Sequence, residues 1–226
     1  MSGMRLCEAL EIRRGVTAII GSGGKTSLML ALGRELSREA RVIVCTTTHI
    51  FPPEGMPCLL SPDTEALRHA LAQTPLVCAA SQTDAGKLSA PEIPFSVLQT
   101  LADYVLVEAD GSRRLPVKAH AAHEPVVPPE ANQTIAVLGL TGLGRPVRET
   151  AHRPELYAQR LGVSMDEIVT PELAARLLQT EALHTRVFLN QADTPELTAL
   201  GRRAAAGLSC PVCIGSLRKG EIVCLY

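Results

Sequence analysis

The chain has 226 residues, 46% of them hydrophobic and 20% charged, enough for one large domain with a sizeable core but not for two independent enzymes. Lys and Arg total 22 against 23 for Asp and Glu, and aromatics make up 3% with no Trp. That balance gives no long-range field to draw in nucleic acid or an acidic membrane, and few rings on which bases could stack. No apolar run reaches the ~20 residues of a membrane helix, and the first fifteen residues lack the apolar centre of a secretory signal. Seven scattered cysteines do not suggest a disulfide framework, so the expected location is cytoplasmic.

In chain order, the apolar run Val16 to Ile20 predicts a strand. Gly21-Ser22-Gly23-Gly24 predicts a loop, and the helix formers from Lys25 onward predict a helix. Further strands are expected at Arg41 to Thr46, Leu76 to Ala80, Tyr104 to Val107, Thr134 to Leu140, Val187 to Leu189, Pro211 to Ile214 and Ile222 to Leu225. Helices are expected at Leu67 to Gln73, Ile93 to Leu101, Pro154 to Leu161, Pro171 to Leu178 and Glu196 to Ala206. Pro116 to Pro129 carries too many prolines for a helix and predicts an ordered loop. Residues 142–183 show helical patterns and no convincing strand, as in a small helical insertion. Continuous apolar strands alternating with helices predict a single doubly wound α/β domain with a mostly parallel sheet.

Gly21-Ser22-Gly23-Gly24-Lys25-Thr26-Ser27, directly after an apolar strand, has what a phosphate cradle needs. Glycines let the backbone N–H groups approach the oxygens, and a helix N-terminus adds partial positive charge. In such a P-loop Lys25 would reach the outer phosphates and Thr26 would hold Mg²⁺. Ile19 stands where the first glycine of GxxxxGK[ST] belongs, so the loop departs from that pattern.

Tyr104 to Val107 runs out into Glu108 and Asp110, two carboxylates spaced to share one face of an extended chain. Either could hold Mg²⁺ or orient an attacking water, and the residues alone do not say which touches metal. Arg113, Arg114 and Lys118 follow, as a charge clamp for a phosphate or an anionic second substrate, or as a solvated loop. Thr47, Thr48 and His49 end the second strand with two hydroxyls and an imidazole, and Thr47 is a further candidate metal ligand.

Asn190 and Asp193 end a late strand in N-x-x-D, the spacing with which P-loop GTPases read guanine, although Gln191 replaces their lysine. The plainer reading is a turn in which Asp193 caps the next helix. Cys210 and Cys213 have the spacing of a redox or metal pair but read better as core, and His120 and His123 are weak metal candidates.

Taken together, Ile20 to Ser27, Thr46 to Pro52, Val107 to Ser112, His123 to Pro125 and Asn190 to Asp193 resemble the YqeC family. That resemblance implies a P-loop NTPase-like protein and a role as accessory factor to selenium-dependent molybdenum hydroxylases. The glycine loop is also similar to the G-T-x-G-K-T loop of Mur-type ligases, whose other domains have no room here. The expected cofactors are Mg²⁺ with ATP or GTP. The expected partners are the nucleotide and a molybdenum hydroxylase or its cofactor carrier, with no nucleic acid and no membrane. Lys25, Glu108, Asp110 and Arg113 would be catalytic in an NTPase or an NTP-using transferase. A nucleotide-controlled delivery protein and a non-catalytic binder of a phosphorylated cofactor are the other two expectations.

Overall fold

The computed structural model describes residues 4–83 and 86–225. In chain order these form α1 (Leu6–Ala9), β1 (Gly15–Gly21), α2 (Lys25–Leu36), β2 (Val42–Thr46), β3 (Cys58–Leu60), α3 (Thr64–Gln73) and β4 (Leu76–Gln82). Then come β5 (Leu88–Ser89), α4 (Phe95–Leu101), β6 (Tyr104–Glu108), β7 (Val117–Lys118) and β8 (Ala131–Gly139). A 3-10 turn at Leu140–Gly142 leads to α5 (Val147–Thr150), β9 (Ala151–His152), α6 (Pro154–Leu161) and α7 (Pro171–Glu181). The chain closes with β10 (Arg186–Asn190), α8 (Pro195–Ala206), β11 (Val212–Ser216) and β12 (Glu221–Leu225).

The fold is mixed α/β around one mostly parallel sheet in the order β12-β11-β10-β8-β1-β6-β2-β4-β3, with β5 added to β4. Among the described strands of this sheet only β12, against β11, and β5, against β4, run antiparallel. β1 lies at the centre between β6 and β8. The chain leaves β1 to build one half of the sheet, returns at β6, and then builds the other half from β8 onward. The carboxyl end of β1 is therefore the point where the winding reverses, the place where α/β sheets leave a crevice for ligands.

Side-chain alternation along β1 shows why the sheet is covered twice. Val16, Ala18 and Ile20 point to one face and Ile19 to the other. On the first face, Leu67 and Leu71 of α3 and Leu98 of α4 pack on Val16, Ile43 and Val105. Beside them Tyr157 of α6, Leu177 of α7 and Ala204 of α8 pack with Ile20, Leu138 and Val187. On the second face, Leu28, Met29 and Leu32 of α2, with α1, cover Ile19, Leu106, Val137 and Phe188. The helices of 142–183 thus cover the sheet, and the segment also holds β9, which pairs with β7 in a separate two-residue ladder.

Local signals fix several helix starts. α7 and α8 both begin Thr-Pro-Glu: the Thr170 and Thr194 hydroxyls accept from the Leu173 and Leu197 N–H groups, and Pro occupies the first helical position, where its missing N–H costs nothing. The predicted long strands and helices are all present, with ends shifted by a few residues. α1, β3, β5, β7 and β9 were not expected, because two to four residues are too few to show a period. Among the described residues no helix is long and apolar enough to cross a membrane.

Phe188 is fully buried on β10 at the centre of the α2-covered face. Phe188→Ala is expected to cost about 3–5 kcal/mol through the cavity it leaves. The thermal midpoint should then fall by ~10 °C, read by circular dichroism.

Candidate functional site

The glycine loop leaves β1 in a conformation that side chains would obstruct. Gly21, Gly23 and Gly24 have φ of +92°, +85° and +127°. A Cβ would lie 2.3 Å from the Val137 carbonyl oxygen at Gly21 and 2.4 Å from Gly139 at Gly23. The loop delivers the chain into α2, which begins at Lys25 and has no side chain capping its N-terminus. The first N–H groups of α2 have no partner within the helix, and the loop opens on a cleft of about 940 Å³. Gly23, Gly24, Lys25, Thr26 and Ser27 line that cleft.

The two carboxylates after β6 do different things. Glu108 lines the cleft, and its Oε2 accepts from the Thr26 hydroxyl at 2.6 Å. Its Oε1 is 3.6 Å from Lys25 Nζ. Burial pushes the Glu108 carboxyl up, against the opposing pull of Lys25 and the Thr26 hydrogen bond. Asp110 is fully buried and faces inward. Its Oδ2 accepts from Gly21 N–H at 2.8 Å, from Lys118 Nζ at 3.0 Å and from His120 Nε2 at 2.7 Å. Its Oδ1 stands 3.2 Å from Lys25 Nζ. Burial alone would raise this carboxyl, but the His120 hydrogen bond with Lys25 and Lys118 outweighs it and holds Asp110 at about 2. Of the two candidate ligands, Glu108 is placed to meet a cation in the cleft and Asp110 to hold the loop. Lys25 also donates to the Gly21 carbonyl at 2.8 Å and to Ser112 Oγ at 3.1 Å.

Thr47, Thr48, His49, Arg113, Arg114 and His123 all line the cleft, so three sequence segments meet at its rim. Thr47 donates its hydroxyl to the Val126 carbonyl at 2.7 Å, tying two of the walls together. Lys118 does not reach the cleft: it is buried between Asp110 and Glu124. His120 is likewise no open metal ligand, because its Nδ1 is 2.6 Å from Glu181 Oε2 while its Nε2 is on Asp110. Among the described residues no group of three or more His, Cys, Asp or Glu is placed to hold a metal ion by itself. Cys213 packs in the core with Phe188, and Cys210 lies partly buried at the edge of the other cluster.

On the opposite side of the glycine loop lies a second hollow of about 480 Å³, with Leu30, Ala31 and Arg34 of α2 on one side and Asn190, Gln191 and Asp193 on another. Asn190 is buried; its Nδ2 donates to the Gly23 carbonyl at 2.8 Å and its Oδ1 accepts from Leu217 N–H at 3.2 Å. Asp193 accepts from Ser216 and pairs with Arg218 Nε at 3.1 Å. The Gln191 side-chain oxygen accepts from the Thr141 hydroxyl at 2.6 Å.

The family model described as YqeC protein matches residues 17–155, more than half of the chain. The chain belongs to the YqeC family. A relative, the "Uncharacterized protein YqeC" of Escherichia coli (strain K12), is 38% identical over 162 residues, which is 68% of this chain and 63% of that protein. The chain therefore spans less than two thirds of this YqeC relative's length. The family match runs from β1 to the start of α6 and so contains the glycine loop, Glu108, Asp110 and the cleft's lining. It stops short of Glu181, Asn190 and Asp193.

No local pattern marks Glu181 and Arg160, which come from α7 and α6 to complete the buried network. Glu181 accepts from His120 N–H at 2.8 Å and pairs with Arg160, whose guanidinium also donates to the His120 carbonyl at 2.9 Å. A fainter signal was present in Val117-Lys118-Ala119-His120, whose alternation puts Lys118 and His120 on one side, both against Asp110.

Burial alone would lower the His120 pKa, but its bonds to Asp110 and Glu181 outweigh burial and raise it. Lys118, on the same Asp110 oxygen, and Arg160 and His184 are further charged or titratable groups near it. A raised folded-state value means that the stabilisation is complete below the ordinary value of ~6.5 and is lost as pH rises through the folded value. The stability advantage of the native chain over His120→Gln should therefore shrink from pH 6 upward, measured by urea denaturation at each pH. An advantage that grows with pH would contradict this.

Proposed function

We propose that this chain is a Mg²⁺-dependent nucleoside-triphosphate-binding protein with a P-loop NTPase-like fold, acting as an NTPase or an NTP-using transferase. The observation that carries the reading is the Thr26 hydroxyl bonded to Glu108 at 2.6 Å at the uncapped start of α2, with Lys25 beside both. A divalent cation between Thr26 and Glu108 would be one bond from a phosphate on the loop. Lys25, released from Asp110 and Glu108, would then neutralise charge on the outer phosphate. Arg113 and Arg114 line the same cleft, for the outer phosphate or for an anionic second substrate. The base fits the hollow between α2 and Asn190, where ATP or GTP would be accepted. Asn190 serves the loop and Asp193 is already paired with Arg218, so little discrimination between the two bases is expected. The client, a selenium-dependent molybdenum hydroxylase or its cofactor carrier, rests on the family resemblance alone, whereas the cytoplasmic location is proposed from the scattered cysteines.

Calorimetric titration tests the site. Mg·ATP and Mg·GTP should bind within about threefold of each other, and chelating Mg²⁺ should weaken both at least tenfold. Lys25→Ala should abolish binding and Thr26→Ala should remove its Mg²⁺ dependence. Binding unchanged in both variants would overturn the assignment.

A second reading, a nucleotide-controlled delivery protein, is favoured by one feature. Asp110 touches Lys25 on one side and, through His120, Glu181 of α7 on the other. Drawing Lys25 toward a phosphate would leave Asp110 with one cation fewer and loosen the 111–129 segment that carries Lys118 and His120. Under this reading limited proteolysis of that segment differs between a non-hydrolysable triphosphate and the diphosphate. Equal cleavage would leave the NTPase or transferase reading alone.

A further inference from the structure

We propose that the outer part of the 940 Å³ cleft is a second binding subsite, for a planar aromatic ring carrying a phosphate group. The proposal deepens the reading above and rests on it only for placing a nucleotide on the glycine loop.

The platform for the ring is Phe51, on the cleft wall and 58% exposed. Lys87 Nζ and Arg114 Cζ lie 5.2 and 5.7 Å from its ring centroid, so cations border the ring while the residue as a whole stays exposed. Val126, 48% exposed, lines the same cleft. A single exposed apolar side chain is ordinary, but two in one cation-lined cleft form a stacking surface beside a charge site.

The charge site is Arg113 and Arg114. Both are exposed, and among the described residues neither pairs with a carboxylate. Arg153, the next arginine of the cleft, pairs at 3.1 Å with Glu124, a carboxylate it shares with Lys118. Two unpaired guanidiniums match a group of charge near −2, which a phosphate monoester carries at neutral pH and a carboxylate does not. Arg113 and Arg114 hold consecutive positive φ values of 49° and 62°, a costly backbone for residues with a Cβ. That backbone sets both side chains on the cleft.

Space supports two occupants. Phosphates on the loop would engage Lys25, Thr26 and the first turn of α2, and a base would take the adjoining hollow of about 480 Å³, which shares Gly23, Gly24 and Ser27 with the cleft. The cleft itself lies within the ~300–1,000 Å³ typical of a whole small-molecule site, and most of its lining comes from segments other than the glycine loop.

Flavin mononucleotide, which joins a planar ring to a phosphate, is a suitable probe, read by fluorescence polarisation on the full chain saturated with Mg·ADP. Riboflavin supplies the ring alone and inorganic phosphate the anion alone. The expected result is that flavin mononucleotide binds while ADP stays bound. Riboflavin should bind at least tenfold more weakly, and inorganic phosphate should compete only at much higher concentration. Phe51→Ala and the double variant Arg113→Gln/Arg114→Gln, all surface changes, should each weaken binding of the probe roughly tenfold. No binding, competitive displacement by ADP, or equal binding by these variants overturns the proposal. If Mg·ADP itself fails to bind, the nucleotide reading falls and the subsite is judged on the empty protein. Retention in Lys25→Ala with loss in Phe51→Ala upholds it, and the reverse pattern overturns it.

Discussion

The Asp110 carboxylate is the interaction on which the rest of the site depends. A fully buried charge is tolerated only when its lone pairs are satisfied and opposite charge is close. Here Gly21 N–H, Lys118 and His120 converge on one oxygen while Lys25 stands against the other. These four partners come from three pieces of the molecule: the end of β1, the segment after β6 and the first residue of α2. Through His120 the same carboxylate reaches Glu181 of α7 and Arg160 of α6. Four carboxylates, Glu108, Asp110, Glu124 and Glu181, meet Lys25, Lys118, Arg153, Arg160 and the imidazole. Removing Asp110 alone would strand Lys25, Lys118 and His120 as buried groups without their central counter-charge.

The separation of Asp110 from Glu108 follows from where the sheet ends. Glu108 is the last residue of β6 and still faces the ligand side, held by Thr26. Two residues later the chain has passed beneath the loop, and the next carboxylate is enclosed. Two acids with the same spacing thus acquire opposite tendencies, one made easier to protonate by burial and one held ionised by its partners. The glycine loop lines two hollows, one reaching toward the end of β10 and one toward the ends of β2 and β6.

Much of this was legible in the amino-acid order. The strand–glycine–lysine–helix run, the acidic end of β6 and the apolar strands announced the parallel sheet and brought Lys25, Thr26 and Glu108 together, because each signal is local. The division of labour between Glu108 and Asp110 was not legible, since it depends on which side of the loop the chain passes. Glu181 and Arg160 were invisible for a related reason: nothing near them in sequence marks them, and only the packing of α6 and α7 on the sheet carries them to His120. Asn190 was read through its spacing to Asp193, whereas its burial assigns its amide to the loop.

Asn190 and Gly24 form one fitted joint. A Cβ on residue 24 would stand 2.3 Å from Asn190 Nδ2, and that same nitrogen holds the Gly23 carbonyl. The two positions, far apart in the chain, are locked like a key and its ward. A side chain at position 24 of this chain would force the one at 190 to shorten or turn, and the loop would lose the amide that steadies it.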